Sequence, residues 1–120
     1  MAERAVAVRN ETRGAVLGAR VAVADTFASR LVGLLGRAAL DAGEGLWLEP
    51  CDSVHMLFMR FPIDVVFVRA DGTVARVVSN LRPWQATWPV AGARAALELP
   101  AGMLAATDTR AGDRLVREAA

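Results

Sequence analysis

The chain has one cysteine and one histidine, and both lie in the segment EPCDSVHMLFMRFPIDVVF, residues 49–67, as Cys51 and His55. A thiol beside an imidazole is the pair that thiol-dependent enzymes use, and both groups also bind zinc. Four residues of extended chain span about 13 Å, which is too far for the two side chains to share a proton or a metal ion. Pro50 and Asp52 are residue types common in turns, so a bend that joins the pair stays open.

Asp64 is the third residue that such an enzyme would use. It lies within the apolar run of residues 63–68, where a charge must be paired with donors. One interpretation gives it hydrogen bonds to backbone amides or to an arginine, and the other makes it a general base or a ligand anchor. A small hydrolase or a thiol- or metal-dependent enzyme using Cys51, His55 and Asp64 is therefore one hypothesis. We predict no metal site, because the sequence has neither a second histidine nor paired cysteines.

A second hypothesis treats residues 51–58 as a β-strand. Alternation along a strand sends Val54, Met56 and Phe58 into the core and leaves the odd-numbered side chains on the opposite surface. Polar and aromatic residues of this region then form a predicted ligand-binding patch, made of Ser53, His55, Arg60, Asp64 and Trp84. We favour this hypothesis, a non-enzymatic module that binds a small ligand or another protein and needs no cofactor.

Two indoles stand in the proline-punctuated segment LRPWQATWPV, residues 81–90. Trp84 and Trp88 there fit an aromatic platform for a sugar, a base or a proline-rich peptide. They also fit a lid over the end of a small barrel, because tryptophan packs well at such a position. We predict the lid, with Trp84 also contributing to the ligand-binding patch.

Composition limits the classes of protein that these residues can serve. The 120 residues suffice for one domain, predicted over residues 1–120, with a core that needs no covalent staples. The 14 basic residues are all arginine and the 13 acidic ones nearly cancel them, so the net charge of +1 gives no electrostatic case for nucleic acid or membrane. We therefore expect an unknown small molecule or protein as partner, and a monomer or weak homodimer.

Location is predicted from the cysteine count and the apolar runs. A single cysteine excludes an internal disulfide, so the fold does not require an oxidising compartment. Glu3 and Arg4 stand where a signal peptide would be apolar, and no later run approaches the ~20 apolar residues of a membrane span. We expect a cytoplasmic protein.

The hydrophobic pattern predicts many short strands and one helix. Helical spacing occurs in ADTFASRLVGLLGR and predicts a helix over about residues 27–35. Strand patterns occur in residues 5–8, 15–23 and 45–50, in a hairpin that turns at Ala70-Asp71-Gly72, and in ARAALELPAG and GDRLVRE. Residues 102–107 fit a short helix or a loop. We predict a mainly β domain, a small antiparallel barrel-like or sandwich fold of about seven short strands with one short helix.

Several of these segments, in this order, resemble one known family. The ordered set SRLVGLLGR, GLWLEPCDSVHMLFMRFPIDVVFV, DGTV, ALELPAG and AGDRL is similar to the prokaryotic family called domain of unknown function 192, over about residues 29–116. The resemblance implies a small, mostly β barrel-like domain and no particular activity.

The chain looks like a branch of that family with a Ser-x-His central motif. His55 stands where many relatives have tryptophan, and Phe58-Met59 stand where they have Asn-Thr. A position that accepts indole or imidazole is better suited to packing or ligand contact than to general base catalysis.

Overall fold

The computed structural model describes residues 5–26 and 37–120. They form seven strands and one short helix, in the order β1 (Ala5–Asn10), β2 (Ala15–Ala24), β3 (Glu44–Leu48), β4 (Ile63–Val68), β5 (Val74–Leu81), β6 (Ala95–Pro100), α1 (Met103–Thr107) and β7 (Leu115–Ala119). The prediction of a mainly β fold with about seven strands is confirmed. The helix predicted over residues 27–35 lies outside the described residues. No helix within them is long and apolar enough to cross a membrane.

The seven strands make one curled sheet in the order β5-β4-β6-β3-β2-β1-β7. All neighbours are antiparallel except β2 and β3, which run parallel from Arg20 opposite Glu44 to Ala24 opposite Leu48. The predicted antiparallel arrangement therefore holds for every pair of neighbouring strands except this one. Parallel neighbours need a connection of about a dozen residues or more, and residues 25–43 provide it.

The two edge strands approach each other at one end of the sheet. The Val74 amide of β5 donates to the Asp113 carbonyl at 2.7 Å, and the Leu115 amide of β7 donates to the Gly72 carbonyl at 2.8 Å. A bridge between Thr73 and Arg114 lies between them. These bonds satisfy part of the two edges and give the sheet the shape of a half-barrel.

Both faces of the sheet are covered, and every residue of β4 is buried. Alternation places Ile63, Val65 and Phe67 on the first face, where they pack with Val54, Met56 and Met59 from the loop that follows β3. The second face carries Val66 and Val68, packed with Trp47, Leu97 and Leu104. A side chain of β4 can therefore be assigned to a face by whether its number is odd or even.

A buried polar cluster fastens the β1–β2 turn to the start of β7. Asn10 donates to Thr109 and to Asp113, each at 3.0 Å, and Arg13 forms an ion pair with Asp113 at 3.0 Å. Burial acts to raise the pKa of Asp113, but hydrogen bonds from Arg13, Asn10 and the Arg110 amide lower it to about 2. The cluster thus holds a carboxylate that stays ionised.

Candidate functional site

The Cys51–Phe58 segment is not a strand of the sheet. It forms a loop that pairs with the Trp-Pro loop, residues 82–93, and the only bridge between described residues of the two loops joins His55 to Ala86. Four backbone hydrogen bonds connect the loops. The amides of Val90, Thr87 and Trp84 donate to the carbonyls of Asp52, Val54 and Met56, respectively, each at 2.8 Å, and the Met56 amide donates to the Gln85 carbonyl at 2.7 Å. The two segments singled out by the sequence therefore build one surface together.

The predicted alternation holds in the first half of this segment and fails at Phe58. Val54 and Met56 are buried, and Ser53 and His55 are exposed, as predicted. Phe58 was expected in the core but is 69% exposed. Its φ of 62° turns the chain, so Met59 points inward in its place.

Each loop makes a tight turn that resembles type II. The Met59 amide donates to the Met56 carbonyl at 3.2 Å, which closes a turn with Phe58 at its third position. The Gln85 amide donates to the Arg82 carbonyl at 3.1 Å, which closes a turn with Pro83 second and Trp84 third. Positive φ at the third position is the type II pattern, in which glycine or asparagine is favoured. Here aromatic residues occupy it, with φ of 62° at Phe58 and 71° at Trp84.

The two aromatic rings meet edge to face outside the core. Their centroids lie 5.0 Å apart at an interplanar angle of 64°. Trp84 is 62% exposed and Trp88 is 84% exposed, so the prediction that these indoles form a lid over the core is wrong. We call the four exposed large apolar residues of the paired loops, Leu57, Phe58, Trp84 and Trp88, the aromatic surface.

Asp64 is separated from this surface by the sheet. Its side chain lies on the second face, is 1% exposed, and accepts three backbone amide hydrogens: Asn80 at 2.8 Å, Gly102 at 3.1 Å and Leu104 at 2.9 Å. The interpretation that Asp64 pairs with backbone amides is thus confirmed. The predicted five-residue patch does not form as a unit, because Ser53, His55, Arg60 and Trp84 are exposed on the loop side of the sheet whereas Asp64 is buried on the second face.

The residues of the enzyme hypothesis do not converge either. Cys51 is half-buried against the first-face core, and its Sγ donates to the Ser53 carbonyl at 3.1 Å. His55 is exposed, and Asp64 lies across the sheet with its oxygens occupied by amides. Among residues 5–26 and 37–120, no group of three or more His, Cys, Asp or Glu side chains is arranged to hold a metal ion.

Glu98 is a buried acid that the sequence reasoning passed over. It lies on β6 between Leu46 of β3 and Val65 of β4, and only 7% of it is exposed. Burial among these apolar neighbours raises its pKa to about 7. The signal was present in ALELPAG, where a single carboxylate interrupts an apolar strand.

The fold and its surface define a small half-barrel protein with an exposed aromatic pair, in which Cys51, His55 and Asp64 do not converge. The chain belongs to the domain of unknown function 192 family, whose model, described as "Uncharacterized ACR", matches residues 8–117. The resemblance noted in the sequence is therefore confirmed, and it extends into β1 and β2.

Relatives and solved structures agree with this assignment. A UPF0127 protein of Pyrococcus furiosus is 33% identical, with 88% of this chain and 93% of the relative covered. A crystal structure of a protein of unknown function from Novosphingobium aromaticivorans has a TM-score of 0.80 and 30% identity, covering 93% of this chain and 83% of that one. A Sinorhizobium meliloti structure, solved as that of a candidate transcription regulator, has a TM-score of 0.82 and 25% identity, covering 98% and 96%.

Proposed function

We propose that the protein is a binding module that recognises a segment of another protein through the aromatic surface. The observation that carries this proposal is the placement of Phe58 and Trp84 at turn positions that favour glycine, with both rings exposed and in contact. A bulky residue in the left-handed region costs about 1–3 kcal/mol, and such residues cluster at ligand clamps and other functional sites. Neither ring offsets that cost by burial in the core, because both rings are exposed.

Charge beside the rings indicates the chemistry of the partner. Arg60 and Arg82 each lie two residues from one of the paired rings and are exposed. Within the described part of the chain, neither guanidinium has a carboxylate within ion-pair distance. Aromatic faces accept proline and aliphatic side chains of extended segments, and arginine favours acidic neighbours. The partner is therefore an extended segment that carries apolar side chains next to Asp or Glu.

The proposal extends to the location of the protein and to the kind of partner. The cytoplasm remains the proposed location, supported by a single cysteine that gives the fold no need of an oxidising compartment. The Sinorhizobium relative was described as a candidate transcription regulator. A module that binds a regulatory protein is compatible with that description, and the net charge of +1 gives no support for direct contact with nucleic acid.

Selection of peptides from a random displayed library tests the proposal. We expect enriched sequences to combine apolar residues, proline among them, with Asp or Glu. Binding should weaken about tenfold or more in a Phe58→Gly/Trp84→Gly variant, because the hot spot of a small interface is aromatic. Val16→Ala is the matched control, since Val16 is 54% exposed but lies on β2.

Two results would count against the proposed partner. Enrichment that is equal on the wild type and on the double glycine variant would place binding elsewhere. Sedimentation showing a wild-type dimer that the double variant fails to form would make a second copy of this chain the occupant, in place of a different protein.

A further inference from the structure

A groove of about 320 Å³ opens on the second face of the sheet, away from the aromatic surface. Its apolar part comes from second-face core residues, among them Trp47, Val68 and Leu115. A smaller depression of about 220 Å³ adjoins it and shares Glu49, Arg94 and Arg117 with it. The size of the main groove lies at the lower end of the range for small-molecule sites, about 300–1,000 Å³.

Three guanidinium groups from different parts of the chain line this groove. Arg69 follows β4 and donates to the Val74 carbonyl at 3.3 Å. Arg94 precedes β6 and lies 3.6 Å from a Glu49 oxygen. Arg117 of β7 places its guanidinium 4.7 Å from the centre of the Trp47 ring. Each group is thus held by a separate contact while keeping N–H donors for a ligand.

The residues that line the groove carry a net positive charge. Glu49 is the one acidic residue among the described residues that line it, so three arginines and one glutamate leave a formal charge of +2. Glu49 also accepts the Trp47 indole N–H at 2.9 Å, which fixes the ring beneath Arg117. A pre-positioned set of guanidinium donors is the arrangement that recognises oxyanions.

We propose that this groove binds the phosphate group of a small phosphate monoester. A phosphate monoester has three terminal oxygens for three guanidinium groups, and its charge of about −1.5 to −2 at neutral pH matches the formal +2. A carboxylate offers two oxygens and a single charge, so it leaves one arginine without a partner. This site is independent of the proposed protein-binding role.

Titration with phenyl phosphate at constant ionic strength, followed by NMR, tests the site in the full chain. The observed signals are the Trp47 indole N–H and the Nε–H groups of Arg69, Arg94 and Arg117. We expect saturable shifts of these signals, weaker binding of inorganic phosphate, and weaker binding still of benzoate. Arg94→Gln and Arg117→Gln should each reduce the affinity for phenyl phosphate about tenfold or more, because each removes charge-assisted hydrogen bonds.

Arg76→Gln is the matched control, because Arg76 is exposed on β5, carries the same charge and does not line the groove. It should change the affinity less than twofold. An equal loss of affinity in Arg76→Gln would show general electrostatic attraction and overturn the site. Benzoate binding as tightly as phenyl phosphate would overturn the assignment to phosphate. Non-saturable shifts in the wild type would also overturn it.

Discussion

At the scale of single residues, Phe58 and Trp84 combine a costly backbone with an exposed ring. For residues other than glycine, the left-handed conformation costs roughly 1–2 kcal/mol. The single edge-to-face ring pair stabilises by about 0.5–1.5 kcal/mol, which offsets only part of the combined strain of the two residues. The aromatic residues at these two turns therefore carry a modest net cost for folding.

Glycine should consequently be a better replacement for Phe58 than alanine. Alanine keeps the left-handed strain and loses the ring, whereas glycine loses the ring and the strain together. We expect Phe58→Gly to lie within about 1 kcal/mol of the wild type and to be at least as stable as Phe58→Ala. Urea unfolding measures both. At Val16, which has ordinary φ in β2, the order should reverse, and a less stable Phe58→Gly would show that the backbone strain is negligible.

Asp64 should contribute more to stability than the exposed residues of the aromatic surface. Its carboxylate accepts amide hydrogens from Asn80 in β5 and from Gly102 and Leu104 at the start of α1. Asp64→Ala leaves these donors without an acceptor, at a cost of about 3 kcal/mol or more in the free energy of unfolding. Asp71→Ala removes an exposed carboxylate that accepts one amide hydrogen and should cost about 1 kcal/mol or less. Equal losses in urea unfolding would contradict the structural role of Asp64.

Glu98 should make stability fall with rising pH. Its pKa is about 7 in the folded chain against 4.5 for an ordinary glutamate, so folding favours the protonated form. The contribution of protonated Glu98 to the free energy of unfolding is fully present below pH 4.5 and is lost as the pH rises toward 7. We expect the Glu98 contribution to unfolding free energy to drop by about 2 kcal/mol between pH 5 and pH 8.

Urea unfolding of Glu98→Gln at both pH values isolates this contribution, because glutamine does not titrate. The variant should show a much smaller difference between pH 5 and pH 8 than the wild type. Asp113, with its pKa lowered to about 2, is ionised at both pH 5 and pH 8. Its contribution to stability is therefore the same at the two pH values and does not obscure that of Glu98. Parallel pH profiles for the wild type and the variant would contradict the raised pKa.

At the scale of elements, the β4–β5 turn closes the half-barrel against β7. Gly72 has a φ of 90°, and a Cβ there would lie 2.8 Å from the Leu115 carbonyl oxygen. Gly72→Ala should therefore lower the free energy of unfolding by about 3 kcal/mol, through strain and displacement of β7. Gly14→Ala is the control, because Gly14 has a φ of 66° with nothing within 4 Å, and it should cost about 1 kcal/mol. Similar losses in the two variants would show that β7 can move away from residue 72 at little energetic cost.

Strand patterns were readable in the sequence because β-branched runs and turn residues are local signals. The hairpin of β4 and β5 and the strand β6 follow these signals directly. The loop at residues 51–58 was misread, because Val54 and Met56 alternate like a strand while they pair with another loop. Parallel pairing of β2 and β3 was also missed, since it depends on a return of the chain that local patterns do not encode.

The candidate site was only partly accessible from sequence for the same reason. Ser53, His55 and Trp84 lie on two segments of unusual composition, and the structure pairs those segments through the bridge between His55 and Ala86. Asp64 was wrongly joined to them, since its face depends on a register that the sequence near Pro62 did not fix. The exposure of Phe58 could not be foreseen, because a left-handed aromatic residue contradicts the usual turn preferences.

At the scale of the whole molecule, the sheet separates two surfaces of different chemistry. The aromatic surface lies over the first face, and the arginine-lined groove opens on the second. Asp64 and the core clusters occupy the space between them and maintain the curled sheet. The two proposed binding sites therefore lie on opposite faces of the sheet, so occupation of one does not sterically block the other.

We infer that Phe58 and Trp84 serve recognition rather than folding. The most direct measurement determines two quantities on the same preparation of the Phe58→Gly/Trp84→Gly variant: its free energy of unfolding and its affinity for the peptide selected on the wild type. We predict stability within about 2 kcal/mol of the wild type, from the balance of ring contact and relieved strain, with affinity reduced about tenfold or more. A variant that unfolds much more readily, or that binds the peptide unchanged, would contradict the account.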